Sequence, residues 1–196
     1  MNFVSGGPKS AVLALRAVPR GGIVRDAALA LGGSLLIALS AQIAIPLWFT
    51  PVPLTGQTFA VLLVGAALGS RRGAAALALY LLEGGIGLPF FAMGASGWPA
   101  GPSGGYLLGF VAAAYVVGLL AERGWDRRFV TAAVAMLAGE AAIYAVGLPW
   151  LGFYVGPEKA VPLGLLPFIP GDAVKLALAA LALPSTWKVV GKGKAH

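Results

Sequence analysis

From Ala27 to Ser70 the chain carries no charged side chain. That run is far longer than the ~20 residues one helix needs to cross a bilayer, and about right for two crossings. Water cannot be the solvent for so long an uncharged stretch of aliphatic and aromatic residues. The run is interrupted once, at residues 46–56, where Pro46, Pro51, Pro53 and Gly56 end one helix and delay the next. A helical hairpin in lipid is the reading that satisfies both facts.

The rest of the chain follows the same plan. Only 11% of its 196 residues are charged and 59% are hydrophobic, with a mean hydropathy of +0.87. A soluble domain carries roughly 25% charged residues, so lipid must cover most of this surface. Beyond the first hairpin, apolar stretches start at Gly73 and run over 103–121, 129–146 and 171–190. Gly/Pro-rich connections separate them, including a long one at 147–170. The expected architecture is an all-α membrane protein of six transmembrane helices. Residues 1–25 form an N-terminal segment with a short surface helix, 26–190 the six-helix domain, and 191–196 a tail.

The basic residues supply the orientation. Twelve of the fourteen lie before the first span, at Arg71–Arg72, at 123–128, or from Lys188 onward at the end of the last span. The intervening connections hold only Lys159. Positive charge accumulates on the cytoplasmic side, which predicts cytoplasmic termini and a location in the bacterial cell membrane. The short apolar stretch at 11–15 is not expected to be a secretory signal. A net charge of +7 in so apolar a chain reads as flanking charge rather than as a nucleic-acid footprint.

Several chemistries are excluded. There is no cysteine, and the single histidine is His196, so thiolate nucleophiles, Cys- or His-based metal sites and Ser-His-Asp triads are not expected. No Walker A loop is present, so the chain does not use ATP by that route. No cofactor or metal is expected. The extracytoplasmic connections, by contrast, are long, uncharged and rich in Gly, Pro and aromatics. Non-helical backbone at membrane depth must be buried in protein or line a cavity, so these segments are expected to enclose a pocket open to the outside. Four ionisable residues stand within or at the ends of apolar stretches: Glu83, Glu140, Asp172 and Lys175. Each is costly in lipid and needs a partner or a function. Asp172 and Lys175 are three apart, hence on one helical face, at the outer end of the sixth span. They can form a helix-end ion pair or hold a ligand. Glu140 reads as a buried carboxyl, protonated or bonded to Tyr144 or to Ser/Thr hydroxyls.

Four segments then read together: Thr50-Pro-Val-Pro-Leu-Thr-Gly-Gln-Thr-Phe59, Tyr80-Leu-Leu-Glu-Gly-Gly-Ile-Gly-Leu-Pro-Phe-Phe91, Gly101-Pro-Ser-Gly-Gly-Tyr-Leu-Leu-Gly-Phe110 and Pro167-Phe-Ile-Pro-Gly-Asp-Ala-Val-Lys175. In order and spacing they resemble the BioY family, the biotin-specific substrate-binding (S) subunits of energy-coupling factor (ECF) transporters. Ser103 departs from the threonine more usual there and keeps the hydroxyl. The resemblance implies a six-helix S component that captures biotin from outside. Its partners would be a transmembrane coupling subunit and two cytoplasmic ATPases, and the contact would run along the small residues Ala30, Ser34 and Ala38.

Biotin presents a urea with two N–H donors and one acceptor, a thioether ring and a carboxylate tail. A dry pocket must answer each polar atom. Asp172 suits a urea N–H and Lys175 the tail, or Lys175 holds Asp172. Gln57, Thr55 and Thr58 offer amide and hydroxyl contacts, with Glu83 at the outer end of the third span. Trp98, Tyr106 and Tyr144 offer aromatic cover. Gly84, Gly85 and Gly104 allow close backbone approach. An S subunit for another vitamin and an intramembrane enzyme stand as alternatives. The second is disfavoured by the scatter of the three acidic groups over three helices.

Overall fold

In a computed structural model, residues 12–14 and 22–192 are described. The N-terminal segment expected to hold a short surface helix lies outside them except for 12–14 and 22–25, as does the tail beyond 192. Of these, Val12 and Leu13 are buried.

The described chain is mostly helical: α1 (Ile23–Ala41), α2 (Gln57–Leu68), α3 (Ser70–Gly85), α4 (Gly104–Glu122), α5 (Phe129–Val155), α6 (Pro157–Gly164) and α7 (Ile169–Lys192). α1, α4 and α5 are each long and apolar enough to cross a membrane; α6 and α7, bent by 52°, make a fourth such unit if taken as one broken span. α2, with 12 residues, and α3, with 16, are shorter than the ~20 residues a straight crossing uses. The protein is an integral membrane protein with at most four full-length apolar spans among the described residues.

The first interruption is more than a loop. Its prolines forbid helix, and the chain instead pairs β1 (Ala44–Ile45) with β2 (Leu54–Thr55), antiparallel, with Ala44 opposite Thr55 and Ile45 opposite Leu54. The purely helical expectation is corrected by this short ladder.

The long connection expected at 147–170 is largely helical. α5 runs on through Pro149 to Val155, and α6 starts with Pro157 at its first position. A proline is tolerated there because the first N–H has no helical partner in any case. The break between the two is Gly156, at φ +92°, a conformation that favours glycine.

The core lies between α4 and α5, which pack most extensively, with α2 and α3 against α4. Small residues make this possible. A Cβ on Gly109 would stand 2.8 Å from the carbonyl oxygen of Ile143, and one on Gly118 would meet the Gly69–Ser70 backbone at 2.4 Å. The basic end of the bundle is closed by polar ties. Glu122 accepts from the backbone N–H (2.8 Å) and hydroxyl (2.9 Å) of Ser70, capping α3. Asp26 holds the Arg72 guanidinium at 2.9 and 3.1 Å, joining α1 to α3.

The small residues on α1 are buried to different degrees. Ser34 and Ala38 are buried and Ala30 is packed against the core, because the Ser34 hydroxyl donates to Glu83 of α3 at 2.7 Å. The side of α1 left exposed carries Leu31, Leu35, Leu36 and Leu39.

Candidate functional site

α2, α4 and α7 all begin at the end of the bundle opposite the arginine-bearing turns, and their first residues converge. With the β1–β2 hairpin, residues 91–103 and one face of α5, they enclose a cavity of about 320 Å³. Small-molecule sites start at about this size.

One wall is polar. Asp172 sits in the first turn of α7, where the positive helix end favours an anion, and is 8% exposed. Lys175, one turn on, donates to its Oδ1 at 3.1 Å and to the Thr58 hydroxyl of α2 at 2.9 Å. The Tyr144 hydroxyl of α5 donates to Asp172 Oδ2. One carboxylate is thus held by an ammonium and a phenol from different helices, and its remaining lone pairs are available to the cavity that it lines.

A second polar set stands at the start of α2. Gln57, buried, accepts from the Thr55 hydroxyl (3.1 Å) and donates to the Tyr80 hydroxyl (2.6 Å), which donates onward to the carbonyl of Phe90. One amide N–H of Gln57 is left over from this network. Thr55, Gln57 and Thr58 all line the cavity.

Much of the remaining lining is aromatic. Phe91, Phe110 and Phe168 contribute to it with Tyr106. Tyr106 contributes its ring only, since its hydroxyl donates to the carbonyl of Gly164 at 2.9 Å. The ring packs edge-on to Tyr144, with centroids 6.1 Å apart. Trp98 stands at the rim, 78% exposed, rather than over the cavity centre. Gly104 lines the cavity and lets the Pro99 carbonyl approach to 1.9 Å of where a Cβ would be.

Three other expected residues stand outside this lining. Glu83 faces α1 and bonds to Ser34. Gly84 lies under the Phe91 ring, which a Cβ would meet at 2.3 Å, so it seats an aromatic wall rather than a ligand. Gly85 is beside Trp98. Glu140 is buried without the expected bond to Tyr144, whose hydroxyl goes to Asp172.

Sequence reasoning does not single out Phe91, Phe110 and Phe168. All three lie within the four family-like segments, but an apolar side chain carries no mark that separates a pocket wall from a core. Tyr80 opens one of those segments too, and only the fold shows that it holds Gln57.

Fold and site together define a class: an integral membrane protein whose helix starts and folded-down loops surround a small cavity lined by polar and aromatic side chains. The chain belongs to the BioY family, whose model matches residues 9–192. Among its relatives, the biotin transporter BioY of Thermotoga maritima is 44% identical over 149 residues, covering 74% of this chain and 86% of that protein. The biotin transporter BioY of Rhizobium etli is 38% identical over 163 residues, 78% and 87% of the two. The crystal structure of an S-component for biotin from an ECF-type ABC transporter superposes with a TM-score of 0.72 at 26% identity, over 84% of this chain and 92% of that one.

Proposed function

We propose that this protein captures biotin on the extracytoplasmic side of the membrane and serves as the substrate-binding subunit of an ECF-type ABC transporter. The observation that carries the reading is the Asp172–Lys175–Tyr144 arrangement on the polar wall of the cavity. A carboxylate facing the cavity is a strong acceptor for a urea N–H. The spare N–H of Gln57 is suited to the urea oxygen, and the phenylalanine wall to the thioether ring. The relatives named biotin transporters and the solved biotin S-component support the same ligand.

The working topology has six crossings, with the short α2 and α3 counted as crossings and α6–α7 as one broken span. Both termini are cytoplasmic and the cavity opens outward. A transmembrane coupling subunit and two cytoplasmic ATPases are the proposed partners, met along the exposed leucine side of α1. No cofactor is assigned beyond biotin as cargo.

The test is equilibrium binding of biotin to purified Asp172→Asn. Loss of a hydrogen bond to a charged group costs about 1.5–3 kcal/mol, so affinity should fall roughly 10- to 100-fold while the melting temperature without ligand stays close to wild type. Undiminished affinity in the variant would remove Asp172 from the site.

A further inference from the structure

Gln42 does not line the cavity, yet it holds one side of it in place. It is the residue at which α1 ends, two positions before β1 begins. Its side-chain amide reaches across to residues 89–94. Nε2 donates to the carbonyls of Ala38 at 3.1 Å and Phe91 at 3.3 Å, with those of Pro89 and Phe90 at 3.5 Å. Oε1 accepts from the backbone N–H of Gly94 at 3.1 Å. These partners fix the orientation of the amide, because carbonyls stand on one side of it and an N–H on the other. Gln42 is exposed, so water can compete for its bonds.

The turn it grips is strained. Met93 stands at φ +61°, the one non-glycine at positive φ among the described residues, and Gly94 follows at φ +73°. Such a conformation persists only where the surroundings impose it. The Met93 side chain does not impose it, being 64% exposed. The polar grip does. Gln42 acts from the α1 side. From the α3 side comes Tyr80, whose hydroxyl donates to the Phe90 carbonyl at 3.3 Å. Held this way, the turn seats the Phe91 ring edge-on against Tyr80, with centroids 5.5 Å apart, and places Phe91 and Ala92 in the cavity lining. It also directs a proton. Because the Tyr80 hydroxyl gives its hydrogen to Phe90, its oxygen is left to accept from Gln57 Nε2. That fixes the Gln57 amide with its oxygen towards the Thr55 hydroxyl.

We propose that Gln42 is a positioning residue of the binding site. By fixing the 89–94 turn to the end of α1 it keeps Phe91 in the cavity lining and, through Phe90 and Tyr80, aims Gln57, and so governs how long a bound solute is retained. The proposal rests on biotin being the ligand. Contacts intact in the occupied site slow escape more than they speed capture.

The experiment measures association and dissociation rates of radiolabelled biotin on detergent-purified protein, wild type against Gln42→Met and Gln42→Glu. Methionine keeps the length of the side chain and removes its hydrogen bonds. Glutamate keeps the acceptor for Gly94 but turns a second oxygen towards the carbonyls. Dissociation should quicken about tenfold in Gln42→Met, as expected from losing one or two neutral hydrogen bonds. It should quicken more in Gln42→Glu, with the association rate nearly unchanged in both. In the wild type, hydrogen exchange over residues 89–95 should slow when biotin is added, and Gln42→Met should lose this protection. Wild-type dissociation rates in both variants overturn the proposal and leave the biotin reading standing. That holds even if their melting temperatures fall, since Gln42 would then support the fold alone. Exchange over 89–95 that does not respond to biotin in the wild type overturns it likewise, and this measurement needs no variant to fold. A wild-type protein that binds no biotin overturns the biotin reading itself, and this proposal with it.

Discussion

Asp126 shows how a single carboxyl at the basic end of the bundle ties the α4–α5 turn to the last helix. It is 1% exposed, and its Oδ2 accepts from the indole N–H of Trp187 at 2.5 Å. The Arg127 guanidinium lies 4.8 Å over the same indole. Burial pushes the Asp126 carboxyl above its ordinary range, with the Trp187 bond opposing. The sign follows from linkage: the folded state keeps this proton at pH values where the unfolded chain has lost it. The stability the group contributes is therefore greatest below the ordinary carboxylate range and declines as pH climbs towards the raised value. Asp126→Asn keeps an oxygen for Trp187 and removes the charge. Its melting temperature should gain on that of the wild type as pH rises from 4 to 8, read by thermal shift. A difference that stays constant across that range would mean the carboxyl is not strained by burial. In sequence, Asp126 is one more charge in a basic inner loop; its burial depends on Trp187, 61 residues away, and nothing local announces it. Asp172 and Lys175 are the contrary case. Their spacing of three and their isolation in an apolar segment suffice to pair them by sequence alone. What spacing cannot supply is Tyr144 and Thr58, which join the pair from other helices.

Among the elements, the clearest difference between pattern and fold is the 147–170 segment. Gly147, Pro149, Gly156, Pro157, Pro162, Gly164 and Pro170 look like loop chemistry. Gly156 breaks the helix with φ +92°, and a second break follows Gly164, at 165–168 before α7. Pro157 occupies a helix start, and Gly147 and Gly164 leave room for Tyr106, whose ring and hydroxyl a Cβ at either position would meet at 2.6 and 2.3 Å. Glycine for close packing and glycine for turning look identical in one dimension, and the distinction appears only when Tyr106 arrives from α4. The start of α3 poses the same problem. Its cap comes from Glu122, 52 residues distant, because the Gly69–Ser70 turn is pressed onto Gly118. Glu122→Ala should uncap α3 at a cost of about 1 kcal/mol, lowering the melting temperature by roughly 2–4 °C for a chain of this size. Glu122→Gln, which keeps an acceptor, should recover most of that loss. Equal losses in the two variants would show that charge, not the cap, is what Glu122 contributes.

For the whole molecule, charge distribution and cavity position make one prediction that neither makes alone. Arg71, Arg72, Arg123, Arg127 and Arg128 gather at the end of the bundle where α2 and α4 finish, and the cavity lies where they begin. Lysine and arginine in short connections stay on the cytoplasmic side. If the cavity is to meet its solute from outside, the two rules must agree on which end is which. The chain carries no cysteine, so single substitutions report without a background. Trp48→Cys, at a position 95% exposed, and Ala100→Cys, also exposed, mark the cavity end; Arg71→Cys and Arg128→Cys, both exposed, mark the basic end. In intact cells a membrane-impermeant maleimide should label the first two and should reach the second two only after permeabilisation. The opposite pattern would turn the cavity towards the cytoplasm, leaving the binding chemistry intact but making capture from outside impossible in the state described. Labelling of all four from one side would instead mean that the helix ends do not lie on opposite membrane faces. That outcome would require α2 and α4 to lie along the bilayer, although α4, at 19 residues and ~1.5 Å per residue, is close to a full hydrocarbon thickness long.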